Sequence, residues 1–251
     1  MKIALLIEYD GTDFAGWQTQ PNARTVQQEI EAAFAKVLQE KIAVTASGRT
    51  DAGVHALGMV AHATLTKETS ISLKKLTEAL NAESGFDVVI KDIRKVRDDF
   101  NARHKTTDRE YRYMIFRQRT ALYRNFSWYL HGPLDILAMQ SCAGMLVGSH
   151  DFTSFSKQTD DVEHYRCIVD VSKFQEKENK LIFTIRANRF VRGMVRALVG
   201  ALVEVGKGKV MPEEFKDLLE NPVEANRAKY IAPPQGLTLW KIRYPDEYGV
   251  W

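Results

Sequence analysis

The order of predicted strands and helices constrains the fold of this chain more than any other feature of its sequence. Apolar, β-branched runs bounded by turn residues indicate strands, and capped amphipathic runs indicate helices. They follow one another in the order β-α-β-β-α-β, and the same order then occurs a second time. The predicted strands are residues 2–9, 42–46, 57–65, 86–96, 110–117, 166–174, 181–187 and 236–244, and the predicted helices are residues 26–39, 73–82, 134–147, 190–205 and a short extra one at 212–219.

This order is that of the ferredoxin-like, split β-α-β unit, which is also found in RRM domains. We therefore predict an α+β fold of two such halves, residues 1–100 and 101–251, each with a mainly antiparallel sheet faced by helices. The polar stretch 97–108 is the candidate boundary, and no Gly/Ser linker separates the halves. We expect the halves to pack as one catalytic unit with the active-site cleft between them.

The composition argues against several classes of protein. The net charge of +3 and the pI near 8.7 are only mildly basic, and no apolar run approaches the length of a membrane span. Cys142 and Cys167 are too few for a disulfide framework and lack metal-ligand spacing. Since there is also no Walker loop, dinucleotide fingerprint or Cys/His cluster, we expect neither a cofactor nor a metal. The N-terminus indicates a first strand rather than a signal peptide. Two cysteines without a disulfide framework fit a reducing cytoplasm, so we expect a cytoplasmic protein.

A loop between two predicted strands carries the most chemistry. Gly48 and Gly53 relax its backbone, and between them lie one guanidinium, Arg49, and one carboxylate, Asp51. A nearby cation favours an ionised carboxylate, which suits a nucleophile or a charge stabiliser better than a proton donor. An aspartate followed by Ala-Gly is also a good turn or helix N-cap residue. Taken alone, these residues favour the structural role.

Positive charge is concentrated in the middle of the chain, where aromatic residues alternate with it. Cations that hold phosphates and rings that stack on bases are what an RNA surface needs, although a solvated basic strand edge has the same pattern. The basic residues are Arg94, Lys95, Arg97, Arg103, His104, Lys105, Arg109, Arg112, Arg117, Arg119 and Arg124.

The predicted helix 190–205 suggests a second polar site. Arg189, Arg192 and Arg196 have the spacing i, i+3, i+7 and would share one side of it. Arg196 has apolar neighbours on the helix and therefore needs an anion, for which Asp51 is a candidate, unless its side chain simply extends to solvent. Tyr111 lies on a predicted strand, where a tyrosine is most often part of the core.

The nine-residue string from Gly48 to Ala56 resembles the active-site motif of the tRNA pseudouridine synthase A family, and the similarity runs over residues 2–244. The resemblance implies that Asp51 is the catalytic nucleophile. It also implies that Tyr111, within Arg-Glu-Tyr-Arg-Tyr, packs against the target uracil and that Arg196 pairs with the nucleophile. Arg49 would then hold the flipped nucleotide or fill the vacated stack.

The same resemblance implies the reaction and the partners. The reaction would be isomerisation of uridine to pseudouridine on the 3′ side of the tRNA anticodon stem-loop, at nucleotides 38 to 40, by a homodimer without a cofactor. Asn101 replaces a more usual His, Lys157 a common Arg, and Cys167 a frequent Thr. The residues expected to contact RNA are Phe100, Asn101, Arg103, His104, Phe155, Lys157, Arg189 and Arg192.

Two functions of other classes fit parts of the sequence. A non-catalytic RNA-binding protein could be built from two RRM-like halves, but the Arg-Glu-Tyr-Arg-Tyr strand matches the RRM strand motif poorly. A small-molecule enzyme could use Asp51 as nucleophile and arginines to bind phosphate, and its activity would not depend strongly on salt. The synthase is the prediction we carry forward.

Overall fold

The predicted order β-α-β-β-α-β is present in the first part of the chain. The computed structural model describes residues 1–66, 71–157, 162–223 and 230–251. Helix α1 begins after Thr25, whose hydroxyl accepts the Gln28 N–H, as the capping pattern predicts. The elements are β1 (Lys2–Tyr9), α1 (Val26–Leu38), β2 (Val44–Ala46), β3 (His55–Thr64), α2 (Leu73–Glu83) and β4 (Val88–Lys95).

The sheet of this part has the strand order of a ferredoxin-like unit. Strand β1 lies between β4 and β3, and β2 pairs with β3, all antiparallel. Because β1 occupies one whole edge of β3, β2 has to use the opposite edge. The last strand, β10 (Leu237–Arg243), pairs in parallel with β3 at His55 and Ala56.

The second part of the chain has a four-stranded antiparallel path in the order β5-β9-β8-β7. The predicted helices and longer strands are present, and the two short strands β6 and β7 are additional to the prediction. The elements are β5 (Asp108–Phe116), β6 (Trp128–Tyr129), α3 (Ile136–Met145), β7 (Gly148–Asp151), β8 (Arg166–Lys177), β9 (Lys180–Ala187), α4 (Met194–Gly206) and α5 (Pro212–Glu220).

The chain divides into two compact units that differ from the predicted halves 1–100 and 101–251. The first unit is Met1–Asp108 with Thr238–Trp251, and the second is Arg109–Leu237. The last strand therefore returns to the first unit, since it pairs with β3. The α+β class and the mainly antiparallel sheets agree with the prediction. Among the described residues, no helix is long and apolar enough to cross a membrane.

Helix α4 is the central element of the second unit, and it begins later than the sequence indicates. Its N-cap, Gly193, has a left-handed φ of 75°, which an α-helix does not accommodate, so the helix starts at Met194. Arg189 and Arg192 therefore precede the helix. The prediction that they share one helical face with Arg196 was wrong, and of the three only Arg196 lies on α4.

Close backbone packing on α4 gives a test of the fold. A Cβ atom on Gly200 would lie 2.0 Å from the Tyr230 carbonyl oxygen, so Gly200→Ala forces the backbone to move. We expect this variant to lower the free energy of unfolding by about 2 to 3 kcal/mol, as overpacking of a core does. Equilibrium denaturation in urea measures the change.

The matched control is Gly144→Ala on α3, where a Cβ meets no atom within 4 Å. Alanine is the better helix former, so this variant should gain about 0.5 to 1 kcal/mol. Equal unfolding free energies for the two variants would contradict the packing of Tyr230 against α4.

A half-buried histidine, His62, gives a second test. The His62 Nδ1 accepts the Ala102 N–H at 3.1 Å, and burial, helped by the charge of Lys2, lowers the pKa of His62 below its usual range. Below about pH 6.5 the unfolded chain then takes up a proton that the folded chain does not, so stability falls as pH decreases through that value. We expect denaturation midpoints to fall more steeply between pH 7 and pH 5 in the wild type than in His62→Gln. An equal pH dependence of the midpoints in the two proteins would contradict a lowered pKa for His62.

Candidate active site

The loop that carries Asp51 is held by the segment that follows β1. The Thr50 carbonyl accepts the Trp17 N–H at 3.2 Å, and the Thr50 hydroxyl bonds the Tyr9 hydroxyl at 2.7 Å in a buried position. The Gly53 N–H donates to the Phe14 carbonyl at 3.3 Å. The backbone is therefore fixed on both sides of Asp51.

The turn character of the loop resides in its backbone. The Asp51 carbonyl accepts the Val54 N–H at 3.2 Å, and Gly53 has a positive φ of 75°. The hydrogen bond that closes this turn is thus made by the main chain of Asp51, not by its carboxylate. The Asp51 side chain is half-buried and Arg49 is exposed.

Two glycines allow this close approach. Gly16 has a φ of +102°, and a Cβ there would lie 2.6 Å from the Thr50 carbonyl oxygen. A Cβ on Gly11 would lie 2.1 Å from the Val54 carbonyl oxygen, and the Gly11 N–H donates to the buried His55 Nδ1 at 3.0 Å. This support was not predicted from the sequence, although the glycines after the first strand were a visible signal for it.

In the second unit, the two tyrosines of β5 differ in exposure. Tyr113 is fully buried, and its hydroxyl donates to the Pro233 carbonyl at 2.7 Å. Burial raises the pKa of Tyr113, which the positive charge of Arg196 partly opposes. Tyr111 is only half-buried and lies edge-to-face with Phe190, at a centroid distance of 5.1 Å. Tyr113 is a core residue, whereas Tyr111 keeps part of its ring at the surface.

Arg196 is held by the chain segment that packs on α4. Its Nε donates to the Ala232 carbonyl at 2.9 Å, and the Ala232 N–H donates to the Arg196 carbonyl at 3.0 Å. The Nε bond uses one of the five N–H donors of the guanidinium. The side chain is half-buried and fixed, which differs from an arginine that merely extends to solvent.

Two residues that were expected to contact RNA are core residues. Phe100 is fully buried and packs against Tyr244 and Tyr248, at centroid distances of 5.2 and 5.4 Å. Phe155 is buried and packs on Phe215, with centroids 5.6 Å apart. Neither ring presents a face to a base. The predicted contact of these two side chains with RNA is corrected accordingly, because each ring fills the core beneath a polar loop.

The polar residues of the same segments lie nearer the surface. Arg103 and His104 are exposed, and the Asn101 Oδ1 accepts both of their backbone N–H groups, at 3.0 and 3.2 Å. Lys157 and Arg192 are also exposed, and their backbones are joined by a 2.7 Å bond from the Lys157 N–H to the Arg192 carbonyl.

Arg189 lies near a buried thiol. Burial raises the pKa of the Cys167 thiol to about 11, and the nearby charge of Arg189 opposes that rise. Cys167 is therefore a neutral core residue at neutral pH, which is one reason not to expect nucleophilic chemistry from it.

Several arginines of the basic stretch are paired with acids two residues away. Arg94 pairs with Asp92 at 3.0 Å, Arg97 with Asp99 at 3.1 Å, and Arg112 with Glu110 at 3.0 Å. The pairs of Arg94 and Arg97 are exposed, and exposed pairs are weak and can exchange for a phosphate, whereas Glu110 is buried. The number of cations ready for RNA is nevertheless smaller than the sequence indicates.

Among the described residues, no group of three or more His, Cys, Asp and Glu side chains could hold a metal ion.

The sequence is similar to known proteins along nearly its whole length. The family model described as tRNA pseudouridine synthase matches residues 5–105 and 142–245. A tRNA pseudouridine synthase A of Chlorobium limicola is 41% identical over 95% of this chain and 97% of its own length. Those of Chlorobium luteolum and Listeria monocytogenes are 39% and 40% identical over 98% and 95% of this chain, and each is covered over 97% of its length.

The likeness to solved structures is much weaker. A chain in a crystal structure of a Cbf5-Nop10-Gar1 complex aligns over 80% of this chain and 53% of its own length, with 12% identity and a TM-score of 0.32. Family membership therefore rests on the family model and on the relatives that match along nearly their full length. The two segments matched by the family include the loop of Asp51 and the helix of Arg196, whereas the strand of Tyr111 lies between them. On these grounds the chain belongs to the tRNA pseudouridine synthase family.

Proposed function

We propose that this enzyme isomerises uridine to pseudouridine on the 3′ side of the tRNA anticodon stem-loop, at nucleotides 38 to 40, with Asp51 as the nucleophile. Conversion of uridine in tRNA follows from the family. The position in tRNA and the role of Asp51 rest on the resemblance of the Gly48–Ala56 string to the family's active-site motif. The observation that carries the proposal is the fixed turn that presents Asp51.

The reaction requires a nucleophile and a site that binds the uracil in a fixed orientation. The glycosidic N1–C1′ bond breaks, the uracil rotates, and a C5–C1′ bond forms. The C5 proton leaves and N1 gains a proton, so product and substrate are isomers and no electrons are transferred. A covalent or ion-stabilising carboxylate divides this difficult exchange into easier steps.

A fixed backbone gives Asp51 its advantage in this role. Thr50 is bonded through its carbonyl and hydroxyl, and Gly53 through its N–H, so the chain on both sides of Asp51 does not have to be ordered during the reaction. Positioning of this kind lowers the entropic part of the barrier. The half-buried carboxylate also experiences a lower dielectric than bulk water, which strengthens its interaction with developing positive charge.

Tyr111, Arg196 and Arg49 are proposed to take part in the same reaction. The partly exposed ring of Tyr111 provides a flat apolar surface for the uracil, and Phe190 fixes its orientation. Arg196 is proposed as the cation that stabilises the nucleophilic carboxylate. The target base lies within a stacked helix or loop and has to be flipped out, at a cost of a few kcal/mol. The exposed Arg49 is proposed to replace it in the stack or to hold its phosphate.

The RNA-binding residues that remain after the structural correction are polar. Arg103, His104, Lys157, Arg189 and Arg192 are proposed to contact the tRNA backbone. Asn101 orients two of them through its side-chain amide oxygen.

We also propose that the enzyme is a cytoplasmic homodimer, as the resemblance implies. The C-terminal aromatic residues Tyr244 and Tyr248 are buried within the chain and leave little ring surface for a partner. Exposed apolar side chains do occur elsewhere, with Leu122 and Leu137 each 84% exposed, and such residues are suited to an interface between subunits.

Replacement of the proposed nucleophile tests the assignment. We expect Asp51→Asn to lower the rate of pseudouridine formation at least about a thousandfold, because an amide cannot act as the nucleophile. Its dissociation constant for unmodified tRNA should stay within about twofold of wild type. Nucleotide-resolved mapping of pseudouridine in tRNA transcripts, with no cofactor added, measures both the rate and the position.

The matched control is Asp13→Asn, which removes an exposed loop carboxylate of the same unit and should leave the rate unchanged. Full activity in Asp51→Asn would remove Asp51 from the mechanism. Product outside nucleotides 38 to 40 in the wild type would leave the reaction in place and reject the proposed position.

A second experiment tests the RNA-binding surface. We expect Arg192→Gln to weaken tRNA binding and to reduce the slope of log Kd against log salt by about 1, because one phosphate contact and its counterions are lost. Filter binding at several salt concentrations provides the slope.

Lys173→Gln serves as the control, since it removes an exposed cation on β8 that is not assigned to RNA. An unchanged slope in Arg192→Gln, or an equal reduction in both variants, would show that Arg192 makes no specific phosphate contact.

A further inference from the structure

The backbone of the loop 101–105 is held in place by several hydrogen bonds. The Asn101 carbonyl accepts the Lys105 N–H at 3.0 Å, and the Asn101 side chain accepts the Arg103 and His104 N–H groups. The Ala102 N–H donates to His62, and the Ala102 carbonyl accepts the Tyr244 hydroxyl at 2.8 Å in a buried position. The backbone N–H groups of residues 102–105 thus all have partners, while the side chains of residues 103–105 are exposed.

The support beneath the loop comes from the end of the chain. The fully buried Phe100 packs against both Tyr244 and Tyr248, and the His62 ring lies edge-on to it with centroids 6.1 Å apart. We call the rings of Phe100, Tyr244 and Tyr248 the aromatic anchor. The Lys105 Nζ lies 5.8 Å from the centre of the Tyr248 ring, so the last cation of the loop is next to the same anchor.

The C-terminal residues are themselves fastened to β4. The Trp251 Nε1 donates to Asp92 at 2.9 Å, and the Arg94 guanidinium lies 4.7 Å from the centre of the Trp251 ring. Arg94 also donates to the Gly249 carbonyl at 3.1 Å. These contacts of Gly249 and Trp251 with β4 restrict the position of Tyr248, which directly precedes them in the chain.

From this arrangement we propose that Tyr244 and Tyr248 are positioning residues for tRNA binding, which hold the loop 101–105 in the conformation that presents Arg103 and His104 to the RNA backbone. The proposal rests on the proposed RNA contacts of those two residues. It assigns to the C-terminal segment a part in substrate recognition that its burial alone does not require. A loop already ordered in the free enzyme loses less entropy on binding, which increases affinity without any new contact.

The experiment uses Tyr244→Phe, which keeps the ring in the aromatic anchor and removes the hydroxyl that donates to the Ala102 carbonyl. We expect faster amide hydrogen exchange at residues 102–105 and a KM for tRNA raised about three- to tenfold, with kcat unchanged, which is the effect of one lost hydrogen bond. Tyr129→Phe, which removes an exposed hydroxyl in the other unit, should change neither.

A double-mutant cycle separates positioning from general loss of structure. If Tyr244 acts through the loop cations, adding Tyr244→Phe to the double variant Arg103→Gln/His104→Gln should raise KM by less than about twofold. Full additivity, unchanged hydrogen exchange, or an unchanged KM in Tyr244→Phe would overturn the proposal. Should the wild type make no pseudouridine, the proposed function fails, and the same cycle read as Kd for an unmodified tRNA transcript still decides the positioning role.

Discussion

The proposed chemistry depends on the close packing and hydrogen bonding of the segment 11–17 against the loop of Asp51. Gly16 brings the backbone of that segment to the Thr50 carbonyl at a distance that excludes any side chain, and Trp17 and Phe14 supply the hydrogen bonds. Both partners leave the sheet at neighbouring strand ends, because Tyr9 of β1 pairs with Ala56 of β3. The antiparallel register of β1 and β3 therefore determines where the loop lies. A slip in this register would separate the loop of Asp51 from the segment 11–17 that supports it.

The elements of the fold could be predicted from the sequence because they follow from local patterns. Strand β1 and helix α1 have the expected limits to within a residue, since a continuous apolar run defines the strand and the Thr25 cap defines the start of the helix. The start of α4 could not be predicted in this way. Its periodic apolar residues extend back to Phe190, but the left-handed backbone at Gly193 interrupts the helix, and a glycine in a sequence does not reveal the sign of its φ. Strand β6 has two residues and is too short to show a period.

The candidate site was predictable to a different depth for each residue. Asp51 is a prediction that a specific nine-residue string carries, and Tyr111 and Arg196 are predictions from segments that resemble the family. Phe100 and Phe155 were misjudged, since an aromatic residue beside cations looks the same in sequence whether its ring faces bases or the core. Their burial depends on partners distant along the chain, such as Tyr244 for Phe100 and Phe215 for Phe155. No local pattern encodes such partners.

The mild net charge of +3 shows why total charge is a weak guide to an RNA-binding surface. Arg94, Arg97 and Arg112 form salt bridges with nearby carboxylates, which neutralise part of their charge. The cations that we propose to contact RNA lie instead on loops whose backbones already form hydrogen bonds in the free protein. The Asn101 side chain, for example, accepts the backbone N–H groups of Arg103 and His104. A fixed cation gives up less entropy on meeting a phosphate than a flexible one with the same charge. Affinity for tRNA in this enzyme would then depend on the order of a few short loops more than on the number of basic residues.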